Sequence, residues 1–283
     1  MPALILNDRI LVHVDGAEAE HFLQNLITAN VETLGEGEAR PCALLTPQGK
    51  ILFDFLISHA PEGGFYLDVR TELLEALTKR LTLYKLRAAV TFTSDGDRPI
   101  VAGWGGQMPK GALHDARFPK EASAWRFYGS GADLDADRTA WDMARIDFGV
   151  VESGADFALS DAFPHDVLMD LNGGVDFRKG CYVGQEVVSR MHHRGTARRR
   201  PAIVSAETTL PDTGSRILAG EKPVGALGTV VNGKSLAIIR ADRVGDAINE
   251  ELLLSAEGVP VTLSFPGWTG LEFSRQDQTG TGH

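Results

Sequence analysis

Lys179-Gly180-Cys181-Tyr182-Val183-Gly184-Gln185-Glu186, residues 179–186, is the stretch on which the reading of this chain turns. It sets one of only two cysteines between glycines, beside a lysine and a tyrosine and ahead of a carboxylate. Packing alone has little use for that mixture, because a core asks for apolar volume and a solvated loop needs neither Cys nor Tyr. A nearby cation favours the thiolate, the form that attacks or ligates, so Cys181 and Lys179 are the candidate catalytic pair. The alternative, a cysteine acting as a small buried hydrophobe, stays open for Cys181 and is preferred for Cys42, which lies on an apolar strand. Gly180 and Gly184 permit a tight backbone or close approach of a ligand, and a plain turn would use them equally well.

The charge around this stretch is uneven. Residues 178–200 hold seven basic residues and one acid, a local +6 in a chain of net charge −10, which leaves −16 for the rest. That balance argues against nucleic acid bound over the whole surface. It favours a small anionic ligand or a localised docking surface. Arg198-Arg199-Arg200 has no interleaved aromatics and reads as a solvated basic edge rather than a nucleic-acid patch. His192 and His193 are adjacent and therefore diverge, and no further ligands stand at chelating spacing, so no metal site is expected. Dinucleotide, Walker A and nucleophile-elbow motifs are absent. No run approaches the roughly 18 apolar residues of a membrane span. Two cysteines make no disulfide framework, and the first residues lack export or transit character, so a cytoplasmic protein with free thiols is expected.

Working outward, 283 residues with 43% hydrophobic content suit one large domain or two. Alternation predicts a strand over 9–14, then a helix over 17–33 capped by Asp15. Residues 41–45 and 50–58 form a hairpin around Thr46-Pro47-Gln48-Gly49. A strand over 65–69, a helix over 71–87, strands near 89–93, 100–104 and 125–128, and a helix over 139–148 follow. Residues 149–178 read as an irregular connection with a helical turn near 163–169. Such long excursions are often functional. Beyond residue 198 helical periodicity fades, and strands at 201–206, 224–231, 235–240 and 259–264 indicate a small all-β region, with Asn232-Gly233 as a hairpin turn. Asp54 shares a strand face with Leu52 and Leu56, so it is either paired in a buried setting or on a solvated face. Arg145 and Asp147 are either surface charges or point together into a pocket from a helix end.

The 179–186 stretch resembles the signature of the YgfZ family, folate-binding relatives of the glycine-cleavage T-protein (aminomethyltransferase) connected with iron–sulfur cluster assembly or maintenance. The resemblance runs through Phe22-Leu23-Gln24, Leu26-Ile27-Thr28, residues 48–54, 83–87 and 188–199. It implies an α+β fold: an aminomethyltransferase-like folate-binding region over residues 1–197, a small C-terminal β-barrel over 198–273, and a disordered tail over 274–283. It also implies tetrahydrofolate or a one-carbon derivative as cofactor, with Asp54, Arg145, Asp147, Tyr182, Gln185, Glu186 and Arg194 as binding residues. Asp54 falls where the T-protein has its catalytic aspartate. Arg145-x-Asp147-x-Gly149 resembles the T-protein's Arg-x-Glu-x-Gly, with an acid one methylene shorter. The T-protein has no cysteine matching Cys181, so glycine cleavage is not expected. Partners implied are folate and iron–sulfur enzymes or assembly factors, with no membrane, and with tRNA involved only indirectly. Two alternatives remain: folate-dependent one-carbon transfer, and a non-enzymatic module that docks an acidic partner or tRNA.

Overall fold

The structure, a computed structural model, describes residues 1–131 and 133–273; the tail expected over 274–283 lies outside them. The chain divides into two compact units. The first comprises Met1–Trp141, Leu159–Pro164 and Leu168–Gly195; the second comprises Asp142–Ala158, His165–Val167 and the chain from Thr196 onward.

The first unit is built on β1 (Ala3–Ile5), β2 (Arg9–Asp15), β3 (Glu38–Leu45), β4 (Ile51–His59), β5 (Phe65–Arg70), β6 (Thr91–Asp95), β7 (Ile100–Gly103), β8 (Leu113–Asp115) and β9 (Trp125–Tyr128). Among the described residues these form one sheet in the order β1-β7-β9-β8-β3-β4-β5-β2-β6, antiparallel except where β3 meets β8. The predicted β3–β4 hairpin is present, with Gly49 at φ +80° closing its turn. One face of this sheet is apolar. Val12, Phe53, Phe55, Ile57, Phe65 and Leu67 pack there with Leu23 of α1 (Ala19–Gln24) and with Leu77 and Leu81 of α2 (Leu74–Lys85).

The other face is polar, and the registers establish it. Leu56 pairs with Asp68, and Ser58 with Tyr66. Pro41 pairs with Leu56, Ala39 with Asp115, and Leu113 with Arg126. Because side chains alternate along a strand, Asp54, Ser58, Asp68, Asp115, Arg126 and Tyr128 all share this face. Strands β9 and β5 stand four apart, about 19 Å across a flat sheet. Arg126 Nε nevertheless lies 3.3 Å from Asp68 Oδ2, with Nη2 3.4 Å from Asp115 Oδ2. The sheet must therefore curl until its polar face closes on itself. All three side chains are fully buried. Arg9 completes the pairing of Asp68, and Arg117 that of Asp115 at 2.8 Å.

Two departures from the sequence expectation have clear causes. The helix expected over 17–33 ends at Gln24, because Gln24 Oε1 accepts from Val31 N and Thr28 is drawn into β3 through Ala43. The second unit is not all-β. Between its strands it carries α5 (Ala241–Asn249), whose Gly245 and Asn249 weaken the local helical signal while Val244 and Ala247 are buried by the strands around them.

The second unit holds β10 (Arg199–Ser205), β11 (Arg216–Ala219), β12 (Lys222–Val231), β13 (Lys234–Arg240), α5 (Ala241–Asn249), β14 (Leu254–Ala256), β15 (Val259–Pro260) and β16 (Thr262–Ser264). The sheet order is β15-β14-β11-β12-β13-β10-β16, so its two ends are consecutive pieces of chain joined at Val261, as a barrel requires. The turn from β12 to β13 places Asn232 at φ +47° and Gly233 at φ +77°, the left-handed pair that the Asn-Gly dipeptide favours. Helix α3 (Arg138–Phe148) carries the chain from one unit into the other. No helix among the described residues is long and apolar enough to cross a membrane.

The buried ion pairs make stability depend on acid pH. Burial would raise the Asp115 carboxyl, but Arg117 and Arg126 overcome this and bring it from its ordinary 3.8 down to about 2. Its contribution is full above 3.8 and is lost as pH falls toward 2. Asp115→Asn, leaving Arg126 short of a counter-charge, is expected to cost about 3–5 kcal/mol at neutral pH. Urea titrations from about pH 5 down to 2 should show a flatter acid limb than wild type.

Candidate functional site

The 179–186 stretch is fastened to the loop that follows α1. Thr28 joins three segments: its N–H donates to Ala43 O, its Oγ1 accepts from Ala43 N–H and donates to Gly174 O at 2.6 Å, and its carbonyl accepts from Asp176 N–H. Asn30 Nδ2 donates to Asp176 Oδ2 at 2.9 Å, while Asp176 Oδ1 accepts the backbone N–H groups of Arg178 and Lys179. Burial works against the Asp176 charge, but these donors hold its carboxyl below the usual range.

Lys179 completes the clamp. Its side chain is buried, and Nζ donates to Ile27 O at 2.9 Å and Ala29 O at 2.6 Å. Burial pulls its pKa down to about 8, against attraction from Cys42, Asp176 and Glu32. A neutral amine still has two N–H groups for the two carbonyls. Gly184, at φ +80°, lies so close to the hairpin turn that a Cβ would come within 2.4 Å of Thr46 O. Tyr182 is buried, its ring centroid 5.4 Å from Lys179 Nζ, and its hydroxyl has no hydrogen-bond partner among the described residues. Burial raises its phenol.

The two cysteines differ sharply. Cys42 is buried, and its thiol is pushed well up by burial. Cys181 is exposed at the surface. The lysine expected to activate it turns inward instead, toward the carbonyls, so the structure does not bring the Lys179 ammonium to the Cys181 thiol by any contact. Lys179 positions the segment that presents Cys181.

Helix α4 (Gln185–Arg194), which the sequence reading left unassigned, begins immediately after Gly184. Gln185 and Glu186 form its first turn, and Glu186 pairs with Arg190 at 2.5 Å in the open. His192, His193 and Arg194 occupy its last turn, where cations suit the helix dipole. His192 stacks on Phe177 with ring centroids 3.8 Å apart. Beside this stack lies a cavity of about 460 Å³, reached also by Asn30, Arg40, Asp176 and Arg178. Among the described residues no cluster of three His, Cys, Asp or Glu side chains is arranged to hold a metal ion.

Asp54 is half-buried on the polar face of the first unit's sheet. Arg145 and Asp147 belong to the second unit. Arg145 is fully buried, and its five N–H donors reach Asp142 Oδ1 twice, Val150 O, Asp156 Oδ2 and Thr229 Oγ1 at 2.7–3.1 Å. Burial opposes its charge, yet Glu152, Asp156 and Asp142 raise its pKa further. It has no donor left for a ligand. Asp147 is exposed and accepts from Lys234 Nζ at 2.7 Å. The residues sequence reasoning missed are Thr28, Asn30 and Asp176. Thr28 ends the apolar pair Leu26-Ile27, and Asn30 and Asp176 carry no comparable local signal.

Residues 198–271 match the C-terminal β-barrel domain of CAF17. The iron–sulfur cluster assembly factor IBA57 homolog, mitochondrial, of Coccidioides immitis is 31% identical over 232 residues, covering 69% of this chain and 54% of that protein. The Pyricularia oryzae counterpart is 32% identical over 214 residues, covering 69% and 55%. The chain is similar to mitochondrial iron–sulfur cluster assembly factors.

It spans about half the length of these relatives. The solved aminomethyltransferase T of the glycine cleavage system from Bartonella henselae superimposes with a TM-score of 0.72, covering 94% of this chain and 85% of that one at 16% identity. The fold is thus the aminomethyltransferase type with a C-terminal β-barrel, as the signature implied. The cytoplasmic expectation is overturned, because the matched relatives are named mitochondrial. Free thiols point to a reducing setting but do not say which compartment supplies it.

Removing the clamp tests its role. Lys179→Met strips two carbonyls of their donor and should cost about 2 kcal/mol. In wild type the folded amine titrates near 8 and the unfolded one near 10.5. The unfolded chain therefore binds more protons between those values, and stability rises across that window relative to Lys179→Met. Paired denaturant titrations from about pH 7 to 10 should show the gap widening with pH.

Proposed function

We propose that this protein supports the assembly or repair of iron–sulfur clusters, acts through Cys181, and binds tetrahydrofolate on the polar face of its first unit. The single observation that carries the reading is the presentation of Cys181. Buried hydrogen bonds fix the backbone ahead of an exposed thiol and Gly184 packs against Thr46 O behind it, while the other cysteine is sealed in the core. A fixed, accessible thiol suits ligation of iron or sulfur, or redox protection of a cluster. The names of the matched relatives favour the same role. The finer resemblance, to the YgfZ family, rests on the 179–186 signature.

The folate part is supported by the chemistry of the polar face. Ser58 Oγ is buried there without a hydrogen-bond partner among the described residues, and Asp54 is half-buried on the same face. A carboxylate accepts two hydrogen bonds at once, which fits the amino and ring N–H groups of a pterin. Bound tetrahydrofolate supplies a carrier for one-carbon units. Asp54 would orient its pterin, and a buried polar surface would keep water away from it. The proposal draws on the first unit alone, because every donor of Arg145 is engaged within the second.

Cys181→Ala is expected to abolish rescue of iron–sulfur enzyme activity in a strain lacking the protein, with an unchanged melting temperature because the side chain is exposed. Full rescue by that variant would refute the role of Cys181. Separately, Asp54→Asn should weaken tetrahydrofolate binding about tenfold or more in a titration of purified protein. Turnover of a one-carbon folate by wild type, lost in Asp54→Asn, would instead favour one-carbon transfer.

A further inference from the structure

A basic groove on the second unit is unused by the function proposed above. The registers define it. Arg216 pairs with Ala226, and Ala226 with Ile238, so these three form a row on one face. Arg240 is two residues beyond Ile238 and shares its face, and Arg199 pairs directly with Arg240. Three arginines from β10, β11 and β13 thus surround a floor of small and aliphatic side chains. Residues 156–158 form a wall, and the enclosed space is about 620 Å³.

The charges in this groove are unequally spent. Arg240 is engaged by Asp242 through a fork of 2.9 and 2.6 Å, and Arg199 lies 3.8 Å from Asp166. The Arg216 side chain is exposed and has no hydrogen bond or ion pair among the described residues. The one acid lining the groove, Asp156, is consumed internally. Its oxygens accept from Arg145, the Glu152 N–H, the Thr229 N–H and the Thr229 hydroxyl. The groove therefore keeps positive charge on a protein whose net charge is −10.

We propose that this groove binds a small organic anion, one bearing phosphate or carboxylate groups joined to an apolar or planar portion. Guanidinium forks match both kinds of oxyanion bidentately, and Arg216 is free to reorient toward one. The exposed Ala226 and the Ile238 side chain offer a flat apolar rest for the remainder of the ligand. The volume falls in the usual range for small-molecule sites, roughly 300–1,000 Å³, rather than that of an extended macromolecular surface.

Calorimetric titration of the full chain at low salt, with adenosine diphosphate, pyrophosphate, citrate and adenosine as probes, tests this. Adenosine diphosphate is expected to bind more tightly than pyrophosphate, and adenosine not measurably. Citrate binding with the same residue dependence would identify carboxylate rather than phosphate as the preferred group. Arg216→Ala should weaken binding about tenfold, and Arg216→Glu should abolish it. Ala226→Trp, which fills the floor without changing charge, should abolish it too. Should Ala226→Trp fail to fold, Arg216→Glu, an exposed substitution checked by its melting temperature, carries the test. The proposal is overturned if none of the three anions binds, if binding is indifferent to both positions, or if only an oligoglutamate peptide or RNA binds.

Discussion

The ion pairing of Arg126 with Asp68 and Asp115 is the constraint on which the first unit depends. Three fully buried charges meet from strands that a flat sheet would hold far apart. None of the Arg126 nitrogens has the geometry of a hydrogen bond, so the contact is one of charge, and burial lowers its pKa. Buried charges on this scale are weak contributors to stability compared with an apolar core. What they do here is forbid other arrangements: only a sheet curled onto its polar face lets Arg126 find its counter-charges. The same curl gives Asp54 and Ser58 a secluded, polar setting, and so links the packing to the proposed ligand chemistry.

The cysteine segment solves a different problem. An exposed thiol on a loose loop would be reactive but unplaced. Here the loop is anchored from beneath: Thr28 and Lys179 hydrogen-bond to buried backbone carbonyls, Asp176 to the backbone N–H groups of Arg178 and Lys179, and Asn30 holds the Asp176 carboxylate in place. Lys179 therefore acts on Cys181 through the backbone and not through its charge. Proximity in sequence suggested activation; geometry assigns positioning. Gly184 matters for the same reason, since no side chain fits against Thr46 O.

In the second unit one arginine does comparable work. Arg145 spends every donor on residues 142–156 and on Thr229 of β12, tying the irregular connection to the strands beside it. The basic run at 198–200 is divided by strand alternation: Arg199 faces the groove, while Arg200 donates to His165 O at 2.7 Å. A motif that looks like one feature in the sequence is thus two features in the fold.

Local periodicity and turn chemistry were enough to read the β3–β4 hairpin, α2, α3 and the Asn232-Gly233 turn, because each is specified by residues close in sequence. The 179–186 signature also carried the fold class, since its combination of residues is specific. The sequence could not reveal the early end of α1, the helix α5 or the helix α4. The first two are decided by contacts from distant segments, and the last was masked by its charged, histidine-rich face. Nor could it show which face of β4 is buried, because both faces are apolar apart from Asp54. The sequence by itself determined most of the elements and, through the 179–186 signature, the fold class. Only the tertiary structure decided that Lys179 points inward, that Cys181 alone is accessible, and that Arg145 is fully engaged. Lys179 is turned by the carbonyls of Ile27 and Ala29, and the last Arg145 donor is taken by Thr229 of β12, partners that no local pattern encodes.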